Sequence, residues 1–350
     1  MSLALIALTA SAIPAKRGNW RTVTLPDGTE VKLTLVGDEH GHFWQTADGK
    51  AYLYDETTKS YQQADRQQLL QKAQTRRAQA NQRRQARMKA KRKVGSYGDY
   101  TGSKKGLIIL VEYQDTVFKS GNTPELYHRI ANEENFSHEK GFVGSVHDYF
   151  HDQSQGQFDL TFDVMGPVKL SQKQSYYGGN DSRGDDKHPE EMVVEACKAI
   201  QNEVNFKDYD WDNDGEVDQV FILYAGAGEA NGGADNTVWP HEWQLSAAGK
   251  SLTLDGVRID TYGCSCELQP DEVSAYGTVY SWKIDGLAPS ATSSATASAI
   301  PTCTTQPMAA TTACTRGTSW TWVRTTARAS FPLATPATRR WRPVGNSPSS

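Results

Sequence analysis

Gly106-Leu107-Ile108-Ile109-Leu110-Val111-Glu112 sets five consecutive apolar residues between a glycine and an acid. A strand with one wet face would alternate. An unbroken run this short reads as a central strand buried on both faces, as in a sheet covered by helices. The segments around it fit that frame. Thr123-Pro124 opens a helix, with threonine as the cap and proline in the first turn, where its missing N–H costs nothing. Ser145 to Gln153 reads as a second helix and Phe158 to Val164 as a strand. Pro189 opens a third helix, in which Met192, Val193, Ala196, Cys197 and Ile200 recur at helical spacing. Val217 to Tyr224 and Leu252 to Tyr262 read as further strands, separated by a glycine-rich loop from Gly226 to Gly233. The expected fold class is α/β (α+β), with this body over residues 101–286.

Upstream, residues 13–64 read as a small β module. Turns at Pro26-Asp27-Gly28, Gly37-Asp38 and Asp48-Gly49 punctuate short strands, and Trp20, Phe43, Trp44, Tyr52 and Tyr54 supply an aromatic core. Residues 65–100 form a basic helical linker. Eleven cations from Arg66 to Lys93 face the single acid Asp65, and no apolar stripe repeats at helical spacing. It reads as a solvated helix or a mobile connector, open to proteolysis. A nucleic-acid role for this run lacks interleaved aromatics and any nucleic-acid-binding motif, so no nucleic acid is expected as a partner. Residues 1–12, with apolar Leu3 to Leu8 and then Ala10-Ser11-Ala12, read as a signal peptide whose basic start is missing. No other stretch approaches the roughly 18 apolar residues of a membrane span. An exported, secreted or periplasmic protein is expected. Five cysteines (Cys197, Cys264, Cys266, Cys303, Cys314) are too few for a disulfide scaffold. Cys264-Ser265-Cys266 lacks the spacing of a zinc knuckle.

Asp210-Trp211-Asp212-Asn213-Asp214-Gly215-Glu216-Val217-Asp218 is the most specific motif. A hard cation needs converging oxygens, and alternate residues of a tight loop point the same way. Carboxylates at loop positions 1, 3, 5 and 9, a turn glycine at 6 and a backbone carbonyl at 7 match most of a calcium loop. Asp210, Asp212, Asp214, Glu216 and Asp218 are therefore the candidate calcium residues. Position 12 is Phe221 rather than the bidentate Glu, and a strand follows instead of a helix, so a last ligand would come from elsewhere. The plainer reading is an acidic surface turn.

Several segments resemble the immune-inhibitor-A family of secreted bacterial zinc metallopeptidases. They include Leu110 to Asp115, Asp148-Tyr149-Phe150, Gly156 to Asp159, Gly166-Pro167-Val168, Tyr209 to Asp218, Val220 to Gly226, Trp239 to Trp243 and Ile259 to Tyr262. The resemblance covers roughly 105–285. It implies a metzincin-like catalytic domain, protein or peptide substrates, a structural Ca2+, a catalytic Zn2+ and an N-terminal pro-region. It also implies that a helix carrying H-E-F-x-H-x-x-G follows Ile284-Asp285-Gly286, with paired imidazoles as zinc ligands and the Glu as general base.

That helix is not written. After Asp285 there is no Asp, Glu, Lys, His or Tyr, and residues 287–350 are mostly Ala, Thr, Ser, Pro and Arg. Such a tail reads as disordered, either a Ser/Thr-rich stalk or a frameshifted translation. Ser290 to Ala297 can be encoded as TCT GCC ACG AGT TCA GCC ACT GCC. Read from the third base, that string gives Cys-His-Glu-Phe-Ser-His-Cys. The same shift lets Thr315 to Thr321 give Thr-Trp-Asp-Leu-Met-Asp. The genetic code permits the expected motif, at the expected place, in one constant register. The written chain is therefore expected to lack a catalytic residue and a zinc site. His147 and His151, at i and i+4 around Asp148, are a weak zinc alternative, and His241-Glu242 has Leu245 where a second His would stand. The rival function is a calcium-stabilised extracellular binding or adhesion protein on a Ser/Thr stalk.

Overall fold

The computed structural model describes residues 14–15, 20–93, 101–138, 142–181, 184–218, 220–274, 279–285, 302–303 and 314–315, with backbone alone for 88–93, 302–303 and 314–315. The leader at 1–12 and nearly all of the tail at 287–350 lie outside the described residues. In chain order the elements are β1 (Trp20–Thr24), β2 (Glu30–Asp38), β3 (Gly41–Gln45), β4 (Ala51–Asp55), β5 (Ser60–Ala64), α1 (Arg66–Lys93) and β6 (Gly102–Glu112). Next come α2 (Pro124–Asn132), β7 (Ser137–His138), β8 (Phe142–Val143), α3 (Val146–Gln153), β9 (Phe158–Lys169), α4 (Gln174–Gly178) and α5 (Pro189–Ala199). The rest are β10 (Val220–Ala227), β11 (His241–Gln244), β12 (Leu252–Leu254), β13 (Val257–Ile259), β14 (Thr261–Val273) and β15 (Val279–Ile284), with the short pair β16 (Thr302–Cys303) and β17 (Cys314–Thr315).

The body is a mixed sheet in the order β11-β14-β10-β6-β9, with β15 on β14. β6 lies between β10 and β9, parallel to both, and Ile109 pairs across to Ile222 and Met165. Leu107, Ile109 and Val111 enter one core with Met192, Val193, Ala196 and Cys197 of α5. Ile108 and Leu110 enter the other with Tyr127 and Ile130 of α2 and Phe150 of α3. Each such side chain contributes about 1.5–3 kcal/mol by leaving water, so the pentapeptide anchors both layers. β9 is an edge strand, and it alternates accordingly: Phe158, Leu160 and Phe162 are buried while Asp159, Thr161 and Asp163 are not.

Local signals set the helix starts. The Thr123 side chain accepts from Leu126 N, and Ser145 forms a capping box with Asp148. The single strand expected over Leu252 to Tyr262 is instead a hairpin followed by a separate strand. Asp255 and Gly256 adopt φ values of 52° and 84°, the paired left-handed geometry of a tight hairpin turn, and this splits the run into β12 and β13 before β14 begins. The strand expected from Val217 starts only at Val220, and β9 continues past Val164 to Lys169. β11, β15 and α4 carry no sequence signal strong enough to have been read.

β1 to β5 form a five-stranded antiparallel meander. Its core holds Leu33, Leu35, Trp44, Tyr52 and Tyr61, together with Ala230 and Trp239 from the body. The small sheet therefore completes its apolar cluster on the loop that follows β10. α1 runs from that sheet to the body. Its less exposed positions, Leu69, Ala73, Arg76, Arg77, Ala80, Asn81, Arg83, Arg84 and Arg87, recur at helical spacing. The helix does have an inward face, but past Leu69 it is written mostly in Ala and Arg rather than in large apolar residues.

Candidate functional site

In a sheet of parallel strands, ligands bind outside the carboxyl ends, where the connecting loops diverge. Here that end is organised by Glu267, on β14 and only 1% exposed. Its Oε1 accepts from Lys119 N (2.7 Å) and Asn122 Nδ2 (2.6 Å), and its Oε2 accepts from Gly226 N (2.8 Å). One carboxylate thus joins the loop after β6 to the end of β10. Its backbone carbonyl accepts from Asp285 N (2.7 Å), and Asn231 Nδ2 donates to Asp285 Oδ2 (2.5 Å). β15 runs antiparallel to β14, with Ile284 opposite Leu268, and so delivers the chain at Asp285 to this platform.

The small sheet docks beside it. His42 stacks on Trp239, ring centroids 4.0 Å apart, and its Nε2 lies 3.7 Å from Glu229 Oε2. Glu229 is 2% exposed, and burial holds its carboxyl well above the usual range, with Asp235 and Asp186 adding to the shift. Asp235 receives Arg21 (3.1 Å) and the Tyr61 hydroxyl (2.7 Å) from the sheet. Burial, which disfavours the imidazolium, lowers His42 to about 4.

The loop at 210–218 is built as a turn around converging oxygens. Asp210, Asp212 and Asp218 offer carboxylate oxygens within 4.8 Å of one another. Asp210 caps the loop through Asp214 N (3.1 Å) and Gly215 N (2.9 Å), and Asp218 accepts from Trp211 N (2.7 Å). Gly215 has φ 85°; a Cβ there would meet nothing within 4 Å, so backbone conformation and not space selects glycine. Trp211, pointing the other way, anchors the loop in the core and donates to Lys105 O (2.6 Å). Burial raises the Asp210 carboxyl, and the neighbouring Asp214 and Asp212 add to it.

Glu216 departs from the sequence-based ligand set. Its carboxylate pairs with Arg258 and, at 3.3 Å, with Arg87 of α1, so its side chain leaves the loop. Asp214 lies outside the three-carboxylate group as well. The same arginine face of α1 makes further contacts. Arg76 pairs with Asp185 (2.6 Å through Nη2), Arg77 with Asp38, and Arg84 with Glu242 (3.4 Å), while Arg83 lies 4.5 Å over the Trp243 ring. Burial pushes the Glu242 carboxyl up to about 7, against the lowering effect of Arg84 and Arg87.

The alternative zinc pair is engaged elsewhere. His147 Nε2 sits 2.8 Å from Asp159, Asp148 accepts from Ser145 N (2.9 Å) and Asn135 N (2.7 Å), and His151 is half exposed beside Asp152. Asp148 is therefore a helix cap and not a base. His241 is 8% exposed, with Nδ1 2.6 Å from Trp239 O and Nε2 2.9 Å from the Tyr262 hydroxyl; it lies in the core rather than lining a cleft. A group absent from the sequence reading, His188, Glu190 and Glu191, also brings three ligand atoms within 4.8 Å. Lys250 Nζ (2.8 Å) and the Tyr176 hydroxyl (2.7 Å) already satisfy Glu191, and an ammonium at that distance opposes a metal cation. The sequence reading also missed Glu267 and Glu229, because nothing in a lone Glu signals what loops will close on it. The glycine-rich loop was the nearest available cue.

Among the described residues no helix is long and apolar enough to cross a membrane. Residues 93–266 match the immune inhibitor A peptidase M6 catalytic domain. Immune inhibitor A of Bacillus thuringiensis subsp. alesti is 26% identical over 202 residues, which is 47% of this chain and 29% of that protein. The chain thus spans under a third of that relative's length. With the mixed α/β body and a family match running from the end of α1 into β14, the chain belongs to the immune inhibitor A family of peptidases.

Proposed function

We propose that residues 101–286 are the first part of the catalytic domain of an exported, metzincin-like zinc endopeptidase, and that the written chain breaks before its active-site helix. The observation carrying this reading is the family match over 93–266, which ends just short of the point where β15 brings Asp285 beside Glu267 of β14, at the carboxyl ends of β6 and β10. A helix starting there would lie against the platform held by Glu267 and Asn231. The written residues do not fit zinc: among the described residues no two histidines share a ligand group. The chain as written is therefore inactive, and the chemistry returns only with the shifted frame, whose paired His would hold the metal and whose Glu would take a proton from water. The loop at Asp210, Asp212 and Asp218 is a structural calcium site, joined by Asp214 and by the backbone carbonyl of Glu216. The five-stranded sheet is a pro-module. The adhesion reading has no observation in its favour beyond the Ser/Thr-rich tail.

The test is the gene. Nucleotides for residues 286–297 should encode His-Glu-Phe-Ser-His in the frame read from each third base. Restoring one base near the Gly286 codon should give a chain that binds zinc and cleaves a denatured protein. Changing the restored Glu to Gln should abolish cleavage and leave zinc bound, since the ligands survive. Codons that encode no such motif in any frame would end this reading.

A further inference from the structure

Two different forces attach the N-terminal region to the body. The sheet is held mainly by apolar burial, with Trp239 and Ala230 inside its cluster and His42 stacked on Trp239. The first turns of α1 stay with that sheet: Ala73 packs against Gly41, where an added Cβ would come within 2.8 Å, and Arg77 pairs with Asp38. From Arg76 onward the contacts with the body are ionic or cation–π. Arg76 reaches Asp185, Arg83 covers Trp243, Arg84 reaches Glu242 and Arg87 reaches Glu216. No leucine, isoleucine or valine lies between Arg77 and Arg87 to add apolar attachment.

We propose that the second half of α1 is an electrostatically held strap that opens while the small sheet stays docked, and that opening presents Arg83, Arg84 and Arg87 to an endopeptidase specific for basic residues. Apolar burial is insensitive to simple salt, whereas partly exposed ion pairs weaken as the screening length falls from about 30 Å at 0.01 M to about 3 Å at 1 M. A helix must also unfold locally to enter a protease cleft, so the docked strap is protected even though every second or third residue is a cleavage site. The connector is in this sense a gated substrate and not an open one. The inference does not depend on whether the body is a peptidase.

The test uses the full chain, trypsin in trace amount, and a small chromogenic peptide to correct for the effect of salt on trypsin itself. Cleavage between Arg83 and Arg87 should accelerate about tenfold from low to high salt. Hydrogen exchange should show α1 amides after Arg77 losing protection while those of β1 to β5 keep theirs. Glu216→Gln and Glu242→Gln leave every cleavage site in place and remove the strap's partners, so each should raise the low-salt rate and reduce the salt response. Asp185→Asn should act in the same direction, and provides a separate variant if one of the first two folds poorly. Cleavage indifferent to both salt and these variants would overturn the proposal. Loss of protection in α1 and the sheet together would overturn it too, because the N-terminal region would then be leaving as one unit.

Discussion

Glu267 lends itself to a quantitative test of the platform. It lies at 1% exposure and receives three N–H groups, Lys119 N, Asn122 Nδ2 and Gly226 N. Glu267→Ala leaves all three donors buried and unmet. At about 1–3 kcal/mol for each, partly recovered by entering water, the loss should be about 3–6 kcal/mol, a large part of the ~5–15 kcal/mol that holds a typical domain. Glu267→Gln is the sharper variant. Its single oxygen can still take Lys119 N and Asn122 Nδ2, but its amide group then faces Gly226 N–H, donor against donor. That arrangement should cost about 1–3 kcal/mol, from one unmet donor and the loss of charge assistance. Urea unfolding at neutral pH, followed by tryptophan fluorescence, gives the free energies. Hydrogen exchange should localise the loosening to residues 113–122 and 226–233. If Glu267→Gln stays within about 0.5 kcal/mol of wild type, as an ordinary surface change would, the carboxylate is not what joins these loops.

Calcium should raise the melting temperature of the chain, because a ligand that binds only the folded loop shifts the equilibrium by mass action. Asp212→Ala combined with Asp214→Ala should abolish the rise, and equal responses in calcium and chelator would remove the site. His147→Ala should change neither zinc affinity nor peptide hydrolysis, both of which should be undetectable in the written chain; zinc-dependent cleavage lost on this change would make the His147 and His151 pair the true site. Burial lowers His241 to about 4, so its folded value lies below the unfolded one of about 6.5. Its contribution is complete above pH 6.5 and lost as the pH falls towards 4, at up to about 1.4 kcal/mol per pH unit. Glu229 and Asp186, raised by burial, act in the opposite sense, so the measurement is the difference between wild type and His241→Gln. The variant should show the shallower acid slope, and parallel slopes would mean that the ring is not held neutral.

Where a residue's role depends on its chain neighbours, the sequence was enough to read it. The run Leu107 to Val111 could only be a strand covered on both faces, and it is. Thr123 and Ser145 mark helix starts because capping is satisfied within one turn of chain, and Pro189 marks one because its fixed φ suits the first helical position. The acids from Asp210 to Asp218 could be picked out because alternate positions of one tight loop must converge, and three of them do. The family was legible for the same reason, as an ordered series of short local motifs. Tertiary structure decided everything that depends on a partner distant in sequence. An arginine-rich helix without an apolar stripe looks solvated until Asp185, Glu242 and Glu216 are placed along one side of it. Glu216 counts as a loop ligand until Arg258 and Arg87 draw its carboxylate away. Glu267 and Glu229 are ordinary acids until loops that sequence separates by many residues close over them, and His241 becomes a core residue only when Tyr262 and Trp239 take its two nitrogens. Charges and hydrogen bonds act over a few ångströms in space, whatever the number of residues between them, and only the folded chain sets those distances.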